Sequence, residues 1–268
     1  MDNYPELRKY YADIFPAEEL FEVLGITETR ELSFFTQQDV YVRFQSFDSC
    51  GAFRGRLVQL NPKKIDIGAT YDLRPLKMSG ARPVARELVF DIDLTDYPRS
   101  CCDGKKTCEI CYEKIKCAIK ILDYSLREEF GFRKIGFVFS GRRGVHCWVL
   151  EHKELDAATR NEIYRFYQHI IDKNLFVREY HDIMAGFSDD DKNLIQSWFV
   201  RIDKQVTVHM NHLIKMPFSV HADTLNISVP LDPSNITEFG DLPNLYDIVM
   251  NPEKIRPYVE ILKGWSSV

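Results

Sequence analysis

The stretch Glu87-Leu88-Val89-Phe90-Asp91-Ile92-Asp93 decides the reading of this sequence. Leucine, valine, phenylalanine and isoleucine in so short a run predict a buried strand, because branched and aromatic side chains fill a pleated surface well. Asp91 and Asp93 are two positions apart, so on a strand both side chains leave the same face. Two carboxylates held that close repel, and each raises the other's pKa. A divalent cation makes such a face rational, since Mg²⁺ takes carboxylate oxygens and is readily shared with substrate phosphates. The plainer alternative is a strand end at which both acids face solvent. Asp96 reads as a turn residue capping the strand exit.

Downstream of this strand comes a cysteine-rich loop. A helix of about twenty residues then runs through Ile115, Ala118, Ile119, Leu122 and Leu126. Ile135 to Phe139 reads as a short buried strand, and Val145 to Leu150 as its neighbour across a Gly-Arg-Arg-Gly turn. Residues 155–197 hold one clear helix and some polar, weakly patterned chain. Trp198-Phe199-Val200-Arg201-Ile202 reads as a strand that delivers Asp203 to its end, as Phe90 delivers Asp91. Thr207 is placed to cap a short helix ending before Pro217, strands follow around Ser219 and Ile227, and the tail from Pro252 is helical. Upstream, residues 5–24 read as two short helices stopped by Gly25. Val40, Val42 and Phe44 alternate with polar neighbours as in a strand, Ile65-Asp66-Ile67 looks like another, and 70–84 is a loop. Strands and helices mixed in this order predict an α/β or α+β fold, taken as one domain over residues 1–268.

Three clusters carry chemistry. Asp91, Asp93 and Asp203, if they converge, suit two metal ions, one activating an attacking hydroxyl and the other stabilising a leaving pyrophosphate. Ser140-Gly141-Arg142-Arg143-Gly144-Val145-His146 combines glycines that let an anion approach the backbone, two bidentate donors, a hydroxyl and an imidazole, which suits a triphosphate. Its plainer alternative is a hairpin turn with solvated arginines. Lys215, His212 and His221 are candidate additions to the same site. Cys101-Cys102, Cys108 and Cys111 offer four thiolates, with the Cys108/Cys111 spacing usual in a zinc knuckle. Four protein ligands make a closed, structural site, although a nearby group could replace Cys102. Cys50, Cys117 and Cys147 read as small hydrophobes.

Composition limits the possibilities. Among 268 residues, 45% are hydrophobic and 28% charged, as in ordinary globular domains, and the seven cysteines make an odd, clustered set that argues for metal before disulfides. No apolar run approaches the roughly 18 residues of a membrane span, and Met1 to Pro5 has neither the basic start nor the apolar stretch of a secretory signal. A soluble, intracellular protein without membrane contact is expected. The net charge of −5 argues against a protein living by phosphate neutralisation alone, which would normally be basic. Nucleic acid, if handled, needs a local basic groove, metal ions or a partner subunit.

Five blocks together resemble the eukaryotic-type small, catalytic subunit of DNA primase, in the archaeo-eukaryotic primase superfamily. They are Val40 to Phe47, Asn61 to Ala69, Glu87 to Tyr97 with the cysteines after it, Ser140 to Val149, and Asn211-His212-Leu213-Ile214-Lys215 with Pro217 to His221. The resemblance implies that Asp91, Asp93 and Asp203 bind two catalytic Mg²⁺ or Mn²⁺ ions, with Glu31 counted among the active-site acids. It implies that Ser140, Arg142, Arg143 and His146 hold the triphosphate with Arg43, Lys215 and His221, that Asp66 contacts the ribose, and that the four cysteines bind one structural zinc. It implies RNA primer synthesis from NTPs on single-stranded DNA in the nucleus, beside an iron–sulfur large subunit and DNA polymerase α. The chain departs from the family in one respect: the helical insertion, at about 153–197, is short. Three alternatives stay open: a primase-polymerase preferring dNTPs, a catalytically silent zinc-bearing interaction subunit, and a metal-dependent nuclease.

Overall fold

In the computed structural model, which describes residues 4–77, 80–102, 104–187 and 195–266, the chain begins with α1 (Pro5–Lys9), a π-helical turn (Tyr10–Ile14) and α2 (Ala17–Leu24). Gly25 ends α2 in the left-handed region at φ 62°. Strands β1 (Arg30–Phe35), β2 (Tyr41–Gln45), β3 (Lys64–Tyr71) and β4 (Pro83–Ala85) form an antiparallel sheet, and α3 (Cys50–Leu60), capped by Ser49, connects β2 to β3.

A second antiparallel sheet holds β5 (Leu88–Asp93), β6 (Ile135–Phe139), β7 (Gly144–Val149) and β9 (Pro230–Leu231) in the order β5-β7-β6-β9. The short β8 (Ile214–Lys215) returns to pair with β3 in the first sheet. Leu88, Val89, Phe90 and Ile92 of β5 are fully buried, each contributing on the order of 2 kcal/mol of apolar transfer. Helix α4 (Glu109–Tyr124), continued by a π-helical turn to Glu129, packs against β7 on one side and α6 (Arg178–Ala185) on the other. Burial from two directions explains why Cys111, Tyr112, Ile115, Cys117, Ala118, Ile119, Ile121 and Leu122 are all inaccessible.

The two sheets are joined by buried charge. Arg30 on β1 donates to both carboxylate oxygens of Glu87, the residue before β5, at 3.2 and 2.5 Å, and Lys153 adds a third contact at 2.9 Å. Burial alone would raise the Glu87 carboxyl, but Arg30 and Lys153 overrule it and hold it at about 2.

The mixed α+β class expected from the sequence is the one observed. Several local expectations are corrected. Two helices, α5 (Ala157–Lys173) and α6, occupy the stretch expected to hold one; residues 188–194 lie outside the described residues, as do 78 and 79 of the expected 70–84 loop. That loop also yields its ends to β3 and β4. Trp198 to Ile202 is not a strand: a 3-10 turn (Ile195–Trp198) leads into irregular chain, buried by aromatic packing of Phe199 on Phe176 and Tyr180. Asp203, not Thr207, caps the following helix α7 (Lys204–Val208), and Asp93, not Asp96, caps the turn leaving β5. Ser219 and Ile227 lie in no strand, the neighbouring Val220 forming a lone bridge to Ile227. The tail is helical as expected, from Pro252 through α9 (Arg256–Gly264), preceded by α8 (Leu245–Met250). Among the described residues no helix is long and apolar enough to cross a membrane.

Candidate active site

Antiparallel register builds the site. Asp91 lies directly opposite His146 and Asp93 opposite Gly144, so the two acids and the imidazole share one face of the second sheet. In the first sheet Asp66 lies opposite Lys215. Between these faces opens a cleft of about 580 Å³, lined by Arg43, Asp66, Asp91, Asp93, Ser140, Arg142, Arg143, His146, His212, Lys215 and His221. Glycine shapes its floor. Gly141 sits at φ +90°, and a Cβ there would lie 2.9 Å from the His221 Cβ, while a Cβ on Gly144 would strike the Ile92 carbonyl at 2.5 Å.

The acids differ in what holds them. Asp93 Oδ1 accepts from the Thr95 backbone N–H and hydroxyl at 2.8 Å each and from Arg143 Nε at 2.7 Å. Although burial opposes it, Arg143 and Thr95 keep this carboxyl below the usual range. Asp203 Oδ1 accepts the Gln205 and Val206 N–H groups at 2.7 and 3.2 Å, and its own N–H donates to the Asp91 carbonyl at 3.0 Å. Asp91 has no hydrogen-bond donor among the described residues; His146 Nε2 stands 3.6 Å away. Burial first, then Asp93, Asp203 and Asp96, push the Asp91 carboxyl up to about 7, with Lys215 acting in the opposite sense. A carboxylate desolvated among like charges and short of donors fits a divalent cation, with one oxygen each of Asp93 and Asp203 left unbonded to complete the set.

The surrounding bases are also tuned. Burial, with Lys215 and Lys64 adding, brings the His146 imidazole down to about 3, so it is neutral, and its buried Nδ1 has no hydrogen-bond partner among the described residues. Burial and Lys64 lower Lys215 to about 7, and its Nζ donates to the Ser140 carbonyl at 2.7 Å. His221 is brought down to about 3 by burial, Lys215 again adding. Asp66 accepts from Tyr41 Oη at 2.7 Å and pairs with Lys64 at 2.8 Å. The two arginines of the turn part company: Arg143 turns inward to Asp93, and Arg142 bridges to Asp223 at 2.5 Å.

Glu31 and Asp203 do not line the cleft. Glu31 is fully buried behind it, where it accepts from Arg43 Nε and a second guanidinium nitrogen at 3.0 and 3.2 Å and from Tyr71 Oη at 2.8 Å. In this position it pairs with Arg43, which does line the cleft. Tyr41, Lys64 and Lys105 line the cleft without having been singled out from the sequence. Tyr41 and Lys64 carried a signal, since each precedes a chosen residue, Arg43 or Asp66, by two on a strand. Lys105 and the distant Asp223 carried none.

Beside the cleft the sulfurs of Cys101, Cys102, Cys108 and Cys111 all lie within 4.8 Å of one another, so Cys102 belongs to the set. The Cys108 and Cys111 sulfurs are 3.8 Å apart, about the edge of a tetrahedron built on zinc–sulfur bonds of roughly 2.3 Å. These residues fit a zinc ion. Cys117 and Cys147 are buried as small hydrophobes, and Cys50 is half-buried.

An acid cluster facing arginines and lysines across two sheets is the arrangement of a nucleotidyltransferase-type enzyme, and the comparisons agree. A profile of the DNA primase small subunit matches residues 90–233, more than half of the chain. The chain belongs to the DNA primase small subunit family, in its eukaryotic-type branch, which supports primase activity. It is 29% identical to the DNA primase small subunit of Caenorhabditis elegans, over 87% of this chain and 83% of that one. It is 27% identical to that of Saccharomyces cerevisiae, over 98% and 91%. The yeast alignment runs to 373 positions against a chain of 268 residues, so that relative carries many residues absent here. In fold, the chain resembles the polymerase domain of Mycobacterium tuberculosis ligase D solved in complex with DNA, with a TM-score of 0.52 at 12% identity over 93% of this chain and 92% of that chain.

Proposed function

We propose that this chain synthesises short RNA primers from NTPs on single-stranded DNA, as the catalytic small subunit of a replicative primase. The observation that carries the reading is Asp91, a carboxylate short of donors beside Asp93 and Asp203, opening onto a cleft rich in guanidinium and ammonium groups.

Asp91, Asp93 and Asp203 would hold two Mg²⁺ or Mn²⁺ ions, which supply Lewis acidity for a 3′-hydroxyl attacking an α-phosphate and for the departing pyrophosphate. Ser140, Arg142, Arg143, His146, His212, Lys215 and His221, with Arg43, line the remaining wall and bind the triphosphate. Neutral His146 donates a hydrogen bond without adding charge, and Lys215 gains its proton fully once phosphate arrives. Asp66, fixed by Tyr41 and Lys64, presents its free carboxylate edge to a ribose. Most of the rate enhancement then comes from orientation and preorganised charge.

Cys101, Cys102, Cys108 and Cys111 hold a structural zinc in this reading. The resemblance further implies an iron–sulfur large subunit, DNA polymerase α and a nuclear location. De novo synthesis on a polypyrimidine DNA template with labelled NTPs tests the proposal. Asp91→Ala is expected to lower product by about a thousandfold, and EDTA to abolish it. Equal product from wild type and Asp91→Ala would sink the mechanism, and faster incorporation of dNTPs than NTPs would convert the enzyme into a primase-polymerase.

A further inference from the structure

Among the described residues six cations line the cleft: Arg43, Lys64, Lys105, Arg142, Arg143 and Lys215. Five are engaged within the protein. Arg43 pairs with Glu31, Lys64 with Asp66, Arg142 with Asp223 and Arg143 with Asp93, while Lys215 donates to the Ser140 carbonyl. The exposed Lys105 ammonium has no ion pair or hydrogen bond among the described residues.

Its backbone, in contrast, is firmly held. Three successive carbonyls of the loop between Cys102 and Cys108 accept from arginines: Gly104 and Lys106 from Arg99 at 2.7 and 2.8 Å, and Lys105 from Arg142 Nε at 3.2 Å. Gly104 takes a left-handed turn at φ 53°, the cysteines bracket both ends, and Arg142 itself belongs to the phosphate-type turn. A lysine on a loop pinned in this way points to a ligand, because no partner among the described residues explains why it lines the cleft.

We propose that Lys105 is a phosphate-binding residue that the cysteine-bracketed loop supplies to the cleft, gripping the terminal phosphates of a nucleoside triphosphate beside Arg142. This rests on the nucleotide reading above. It gives the loop a role in substrate binding as well as in structure. The loop is anchored to Arg142, so it and the turn grip the same end of the ligand.

Calorimetric titration of the full chain with ATP and with AMP, in Mn²⁺, tests this on Lys105→Ala, Lys105→Glu and the neighbouring control Lys106→Ala. Lys106 is also exposed but does not line the cleft. Lys105→Ala is expected to weaken ATP binding roughly five- to tenfold, the size of one half-exposed charge-assisted hydrogen bond, and Lys105→Glu more. AMP affinity should stay unchanged in every variant, and Lys106→Ala should bind ATP as wild type does. Unchanged ATP affinity in Lys105→Ala overturns the assignment. So does an equal loss for AMP, or an equal loss in Lys106→Ala, either of which would mean a general field rather than a contact. A wild-type chain that binds no ATP removes the nucleotide reading and this one with it.

Discussion

Asp91 behaves unlike its two neighbours, and the difference is a matter of donors. Asp93 and Asp203 are each tied by one oxygen to backbone N–H groups, which both orients them and leaves the second oxygen available. Asp91 has its own burial and the field of three other acids, only partly opposed by Lys215, so in the absence of a cation it is a source of strain. Asp91→Asn should therefore leave the metal-free fold slightly more stable than wild type, by roughly 1 kcal/mol and a melting temperature two to four degrees higher, since it removes like-charge repulsion. Mn²⁺ binding should be lost at the same time. Thermal unfolding in EDTA, alongside a Mn²⁺ titration, reads both. A clear fall in melting temperature would mean that Asp91 is a structural carboxylate instead. The sequence allowed the pairing of Asp91 with Asp93 to be read directly, because a two-residue period fixes the face. It could not reveal that Asp91 lacks donors, since that depends on where Thr95 and Arg143 turn.

Elements position these residues through contacts whose strength can be tested. Glu87 and Arg30 join β5 to β1 with no solvent access, so Glu87→Gln should cost about 3–5 kcal/mol by leaving Arg30 without its counter-charge. The pH dependence has a definite sign. A carboxyl lowered to about 2 in the folded chain, against roughly 4.3 unfolded, stabilises fully above the upper value. That contribution is lost as pH falls towards the lower one. Urea unfolding of wild type and Glu87→Gln at several pH values should show the difference shrinking across that window. An unchanging difference would assign it to packing. The cysteine loop makes a second case. If the proposed zinc is bound, removing it with a selective chelator, followed by dialysis into Mn²⁺, should release the Lys105 carbonyl from Arg142 and with it the position of the ammonium. ATP affinity is then expected to fall by at least the roughly five- to tenfold of Lys105→Ala, with AMP unaffected and the melting temperature lower. Strands such as β3, β5, β6 and β7 were legible because their apolar runs lie between turn residues. Trp198 to Ile202 misled for a physical reason: its large apolar side chains are buried by Phe176 and Tyr180, and burial without a neighbouring strand has the same composition as burial with one. The same composition puts Asp203 at a strand end, whereas its carboxylate caps α7.

At the scale of the whole molecule, the net charge of −5 and the wiring of the cleft point the same way. Four of the six cleft cations are neutralised by Glu31, Asp66, Asp223 and Asp93, and those that remain are wanted by a triphosphate. Within the cleft, little positive charge is left for a template backbone. Each phosphate neutralised on single-stranded DNA contributes about −0.7 to the slope of log affinity against log salt, so a grip of one or two contacts gives a shallow slope. Fluorescence anisotropy of a labelled single strand with the isolated chain should thus find weak binding that changes by less than about tenfold for a fourfold rise in salt. A steeper dependence would locate an extended basic track on this chain and remove the argument for shared template binding. The shallow slope, if found, places most of the template grip on a partner, and adding the large subunit that the proposed function implies should then raise affinity and steepen the slope together. Affinity rising with the slope unchanged would instead mean that the partner orders this chain without touching the DNA backbone.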